Sequence, residues 1–106
     1  MKCLDKVKDA LLTVSENVGH YEAMKKEDAY IVWAEDGSGA QLAGDNYALN
    51  HAVSGLIHYY TRTESDENVD KIITALKEAR ISFRLQAVQY EEETKYIHHT
   101  WEFEVS

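Results

Sequence analysis

ENVDKIITALKEARISFRLQAVQYEEETKYIHHTWEFEVS, residues 67–106, decides the fold. Val69, Ile72, Ile73, Leu76 and Ala79 recur at spacings of three and four, which predicts a helix from Glu67 to Ala79 with one apolar stripe. ISFRLQAVQY and YIHHTWEFEVS then read as two strands joined by the charged turn EEETK. In the last strand Ile97, His99, Trp101, Phe103 and Val105 share one face, and His98, Thr100, Glu102 and Glu104 share the other, because successive strand side chains point to opposite sides. In the strand before it Phe83, Leu85 and Ala87 alternate. The pattern then slips to Val88 and Tyr90, which predicts a bulge near Ala87. A helix this short covers one face of so long a ribbon and leaves the other. The spacing therefore predicts sheet surface presented to another molecule.

Upstream, HAVSGLIHYYTRT sets Val53, Gly55, Ile57 and Tyr59 against Ser54, Leu56, His58 and Tyr60, with Gly55 marking a bulge or a close backbone approach. Ser65 or Asp66 in TESDEN is placed to cap the helix that follows. AYIVWA, residues 29–34, is apolar on both faces (Tyr30, Val32 and Ala34 against Ile31 and Trp33) and reads as a central strand. Leu4, Val7, Leu11, Val14 and Val18 predict a first helix over Lys2 to Glu16, with Gly19 as its stop. The class is α+β: a small mixed or antiparallel four-stranded sheet with two helices on one face. Its order is helix, strand, strand, helix, strand, strand. The expected core is Trp33, Tyr59, Phe83, Leu85, Trp101 and Phe103, with Ile72, Ile73 and Leu76 packed on them.

At 106 residues the chain reads as one domain, residues 1–106, with a thin core that oligomerisation would help. Hydrophobic residues make up 44% and charged residues 28%, a globular balance. The net charge of −8 argues against a grip on nucleic acid, which needs clustered Lys and Arg. A single cysteine, Cys3, has no internal partner and implies a reducing, cytoplasmic setting. No apolar run reaches the ~20 residues a membrane helix needs, and MKCLDKVKDALL is charged and amphipathic, unlike a signal sequence.

Chemical signatures are sparse, and the expectation is no enzyme, no metal and no cofactor. Adjacent His98 and His99 point to opposite faces, as do His51 and His58 seven residues apart in an extended segment, so neither pair chelates one ion. Cys3 has no histidine placed beside it to act as base. DGSGAQLAGD lacks the Gly-Lys-Ser/Thr end of a phosphate loop. Two features remain as interaction candidates. The first is an extended arm at about residues 36–50, with Asp36, Gly37, Gly39, Leu42, Asp45 and Tyr47, too long for a tight hairpin loop and expected to order on assembly. The second is the aromatic content of the strands, Trp33, Tyr59, Tyr60, Tyr90, Tyr96, Trp101 and Phe103: more than half are expected in the core, and those on the second face of the ribbon are placed to anchor a subunit contact. Glu91, Glu92, Glu93, Glu102 and Glu104 form a solvated acidic ribbon that would be the contact surface of a DNA mimic, and Glu102 and Glu104 read as guards against uncontrolled strand pairing.

YIVWAEDGSG and the Ala/Asp/Asn arm after it, HYYTRTESD, ENVDKIITALKEARISFRL and QYEEETKYIHHTWEFEV together span Tyr30 to Val105. This run is similar to small proteins from the head-to-tail-joining region of long-tailed phages and prophages of Gram-positive bacteria. Such proteins are tail terminators or tail-completion proteins, which cap the finished tail tube and provide the surface on which the head docks. The resemblance implies a small α/β domain, a homo-oligomer in the form of a hexameric ring, and tail-tube and connector proteins as partners. It also implies residence in the host cytoplasm during assembly and then in the virion tail. It carries no catalytic residues to transfer. An acidic channel lining would keep passing DNA from sticking. This sequence is short for the group, so a loop used for ring contacts is expected to be missing. Two other readings stand beside it: a different head-tail connector component such as a stopper or adaptor, and a small acidic module that mimics DNA toward a basic partner.

Overall fold

The computed structural model describes residues 3–37 and 52–105. Seven elements follow one another: α1 (Cys3–Leu12), β1 (Val18–His20), β2 (Ala29–Gly37), β3 (Val53–Thr61), α2 (Glu67–Glu78), β4 (Ser82–Tyr90) and β5 (Ile97–Val105). They form one five-stranded sheet in the order β1-β2-β3-β5-β4. β1 runs parallel to β2, and every other neighbouring pair is antiparallel.

The α+β class and the two helices agree with the sequence, whereas the sheet has five strands instead of four. The additional strand, β1, consists of Val18, Gly19 and His20 alone. Gly19 is therefore a strand residue and not a helix stop. A Cβ there would collide with the Glu22 carbonyl oxygen, where the chain doubles back. α1 ends at Leu12, short of the expected Glu16. Thr13 Oγ1 donates to the Ala10 carbonyl at 2.6 Å and Ser15 Oγ accepts from the Asn17 amide at 3.0 Å. These local hydroxyl bonds offer the backbone an alternative to another helical turn.

α2 follows its predicted span to within a residue. Asp66, not Ser65, is its N-cap. At the other end Ala79 is the C-cap, Arg80 adopts a left-handed φ of 59°, and the Ile81 and Arg80 amides donate back to the Leu76 and Lys77 carbonyls, each at 3.0 Å. That six-to-one and five-to-two pattern closes the helix and starts β4.

Both helices lie on one face of the sheet. Leu4, Val7 and Leu11 of α1 join Ile72 and Leu76 of α2 over Ile31, Trp33, Ile57, Tyr59, Trp101 and Phe103. Ile72 and Leu76 are fully buried, each worth roughly 2 kcal/mol relative to exposure. One member of the expected core departs from it: Leu85 is 53% exposed, whereas Phe83 and Ile73 are half-buried and pack against the core. Leu85 lies across from buried Trp101, but among the described residues β4 is the outermost strand, so no further strand stands beside it. Gly55 marks the expected close approach, since a Cβ there would collide with the Ala34 carbonyl oxygen; opposite it β2 bulges between Glu35 and Gly37. β4 bulges between Leu85 and Ala87, as its slipped alternation predicts.

Candidate functional site

Two surfaces of the sheet are covered by no described helix or strand and are long enough to take a partner: the open face, opposite the helices and for the most part half-buried, and the outer edge of β4. Antiparallel register arranges the open face in cross-strand rows. Tyr30, Tyr60, His98 and Gln89 form the first; Val32, His58, Thr100 and Ala87 the second; Ala34, Leu56, Glu102 and Arg84 the third. Rings stack along the first row, Tyr30 on Tyr60 at 4.6 Å and Tyr60 on His98 at 4.2 Å. Tyr96, just before β5, meets Tyr30 edge-on at 5.4 Å and donates its hydroxyl to the Glu27 carbonyl at 2.6 Å. Arg62 lies over the Tyr96 ring at 4.3 Å. Burial pushes the Tyr30 hydroxyl up to about 12, so it stays neutral.

His58 and His98 meet diagonally across β3 and β5, with Nδ1 of the first 2.8 Å from Nε2 of the second. Thr100 Oγ1 is within 3.4 Å of His58 Nδ1 and 3.2 Å of His98 Nε2. Behind His98, Glu91 Oε2 lies 3.6 Å from Nδ1. Burial holds both imidazoles below their ordinary value, and for His98 the neighbouring His58 adds to the effect. Parity placed the two residues on the polar faces of their strands; only the register brings them together, and no sequence spacing encodes it. Among the described residues no group of three or more His, Cys, Asp or Glu side chains is arranged to hold a metal ion.

The second surface is apolar. Leu85, Val88 and Tyr90 are 53%, 51% and 58% exposed, and all three share the helix-side face of β4 with Phe83. No described strand pairs with the outer side of β4. A nine-residue edge carrying three uncovered apolar side chains is a template for pairing with another chain.

The interaction candidates read from the sequence are scattered. Asp36 and Gly37 belong to β2, and Asp36 Oδ1 accepts weakly from Ser54 Oγ at 3.5 Å. Gly39, Leu42, Asp45 and Tyr47 lie outside the described residues, as does the rest of the arm from residue 38 to 50. Glu91 is half-buried at the start of the β4–β5 turn and accepts from Thr94 Oγ1 at 3.1 Å, whereas Glu92 and Glu93 are exposed. Glu102 holds Arg84 through both oxygens at 3.2 Å. Glu104 is exposed near the opposite end of the ribbon. β5 lies inside the sheet, so Glu102 and Glu104 border no free edge and the guard role expected of them falls away. Of the residues this edge leaves exposed, Tyr90 is among the aromatic candidates, whereas Leu85 is expected in the core and Val88 only marks the slip in β4.

No protein-family model matches the chain, and a search of characterised proteins finds no match to it.

Proposed function

We propose that the chain is a virion assembly protein of a long-tailed phage or prophage, a tail terminator or tail-completion subunit that caps the tail tube and takes part in joining it to the head. The observation that carries the assembly role is the β4 edge, where a nine-residue strand leaves Leu85, Val88 and Tyr90 more than half exposed. Apolar groups left on a pairing edge make it adhesive, and a subunit uses such an edge on its neighbours. The phage context rests on the resemblance of the Tyr30 to Val105 run. The net charge of −8 agrees with a surface past which DNA slides without binding.

In this reading the chain performs no catalysis, holds no cofactor and works as a homo-oligomer, with a ring of six as the form the resemblance implies. It acts in the host cytoplasm during assembly and stays in the finished tail. A stopper or adaptor would use the same edge and differ in its partner. Electron microscopy of tail tubes incubated with the purified chain tests the proposal. Added density at one tube end is expected. Bare tubes together with tight binding to a basic nucleic-acid-binding protein would overturn it in favour of an acidic mimic.

A further inference from the structure

β4 needs a partner of its own length. Among the described residues the far edge of the sheet offers only the three residues of β1, against nine in β4. We propose that the free chain pairs with a second copy of itself, β4 against β4, antiparallel and about a two-fold axis beside Ala87. This rests on the assembly reading above and names the partner of the same edge; a two-fold pair closes on itself, so a ring of six would consist of three such pairs joined through other surfaces.

Directly opposed residues in an antiparallel pair share a face, so the helix-side residues of one copy must meet those of the other. On β4 these are Phe83 and Leu85 before the bulge, and Val88 and Tyr90 after it. A single register joins all four at once: Phe83 against the second copy's Tyr90, and Leu85 against its Val88. Arg84 then faces Gln89 on the open side. Shifting the axis to Leu85 or to Val88 leaves part of the apolar set unmatched. In the matched register the stripes of the two copies merge into one strip, and each sheet's helix-side face continues into the other's.

Charge selects the same arrangement. The chain entering β4 carries Lys77, Glu78 and Arg80, while the turn leaving it carries Glu91, Glu92, Glu93 and Lys95. Antiparallel pairing brings Arg80 next to the second copy's Glu92 and Glu93, and Ser82 next to its Glu91. A parallel arrangement would stack one acidic turn on the other, which like charges oppose. The backbone agrees as well. The Glu91 amide donates inward to the Tyr96 carbonyl at 2.8 Å, so alternation turns the amides of Tyr90 and Val88 outward, where a second strand can take them.

Cysteine cross-linking in a Cys3→Ser background tests the register. Ala87 lies beside the axis, so its two copies come within the ~4.4–6.8 Å between Cα atoms that a disulfide spans. Ser82 is exposed at the strand end, and its copies would stand roughly 25–30 Å apart. Under copper–phenanthroline, Ala87→Cys is expected to run as a covalent dimer and Ser82→Cys as a monomer. Equal cross-linking of the two, or none of Ala87→Cys, overturns the proposal. In light scattering the unmodified chain is expected to be dimeric. Val88→Lys, changed at an exposed site on both sides of the axis, should dissociate at least on the order of tenfold more readily with an unchanged circular dichroism spectrum. A monomeric wild-type chain would sink this inference and leave tube-end binding intact. A dimer that ignores tail tubes would do the reverse.

Discussion

His58 Nδ1 and His98 Nε2 share a single contact of 2.8 Å, with Thr100 Oγ1 beside both. One ring must donate and the other accept, so the contact fails when both rings are protonated. The folded state therefore favours neutral imidazoles. Burial lowers the pKa of His58, and burial followed by His58 itself lowers that of His98. Stability from such depressed groups is present above the unfolded value of ~6.5 and is lost as pH falls through the folded values. Urea midpoints are expected to drop between pH 7.5 and pH 5. His58→Gln should show a smaller drop, though not none, since burial also lowers His99. Identical slopes for the two proteins would remove the pair as the cause.

Asp66 ties the start of α2 to β3. Its Oδ1 accepts from the Asn68 amide at 2.9 Å, and its Oδ2 accepts from the Tyr59 and Thr61 hydroxyls, each at 2.6 Å. Burial alone would push this carboxyl up; the bonds from Thr61, Tyr59 and the Asn68 amide outweigh it and hold it below its ordinary value. Asp66→Ala loses the cap and leaves two hydroxyls short of a partner, at a cost on the order of 2 kcal/mol. Denaturation at pH 7 reads that cost directly. Because the group's pKa is depressed, its contribution exists above an unfolded value of ~3.9 and fades as pH falls through the folded one.

Arg80 occupies a left-handed backbone position, φ 59°, that glycine adopts without strain. Arg80→Gly is expected to raise unfolding stability by about 1 kcal/mol and Tm by roughly 5 °C. Thermal denaturation in a Val88→Lys background checks it, so that pairing between copies does not enter the measurement.

At Gly55 an added methyl has nowhere to go. Besides the Ala34 carbonyl oxygen it would stand 2.7 Å from Glu35 Cα and 2.7 Å from Phe103 Cε2. The Phe103 ring could turn, but the backbone of β2 at its bulge could not. Gly55→Ala should destabilise by about 3 kcal/mol, the upper end of ordinary overpacking. A loss below about 0.5 kcal/mol, within the range of surface substitutions, would show that β2 yields there.

Periodicity reached a long way into this molecule. The stripe of α2, the two faces of β5 and the slip in β4 could all be read residue by residue, because each continues long enough for its period to repeat. β1 could not, since Val18, Gly19 and His20 span barely more than one alternation. Leu85 shows a different gap. Its face follows from parity, whereas its exposure depends on β4 being outermost, a matter of strand order that local sequence does not encode. The meeting of His58 with His98 depends in the same way on register between strands forty residues apart.

Gln86 is one residue of chain with no opposite number on β5. Remove it, and Phe83, Leu85, Val88 and Tyr90 still fall on the helix side, now in strict alternation. Folding does not require this residue to keep its stripe. What it adds is local twist, which makes the rim of the sheet harder for strangers to extend. A chain lacking Gln86 would keep its interior and lose its manners: the straightened rim would accept foreign strands in many offsets, so the expected penalty is clumping during synthesis and not a lower melting point.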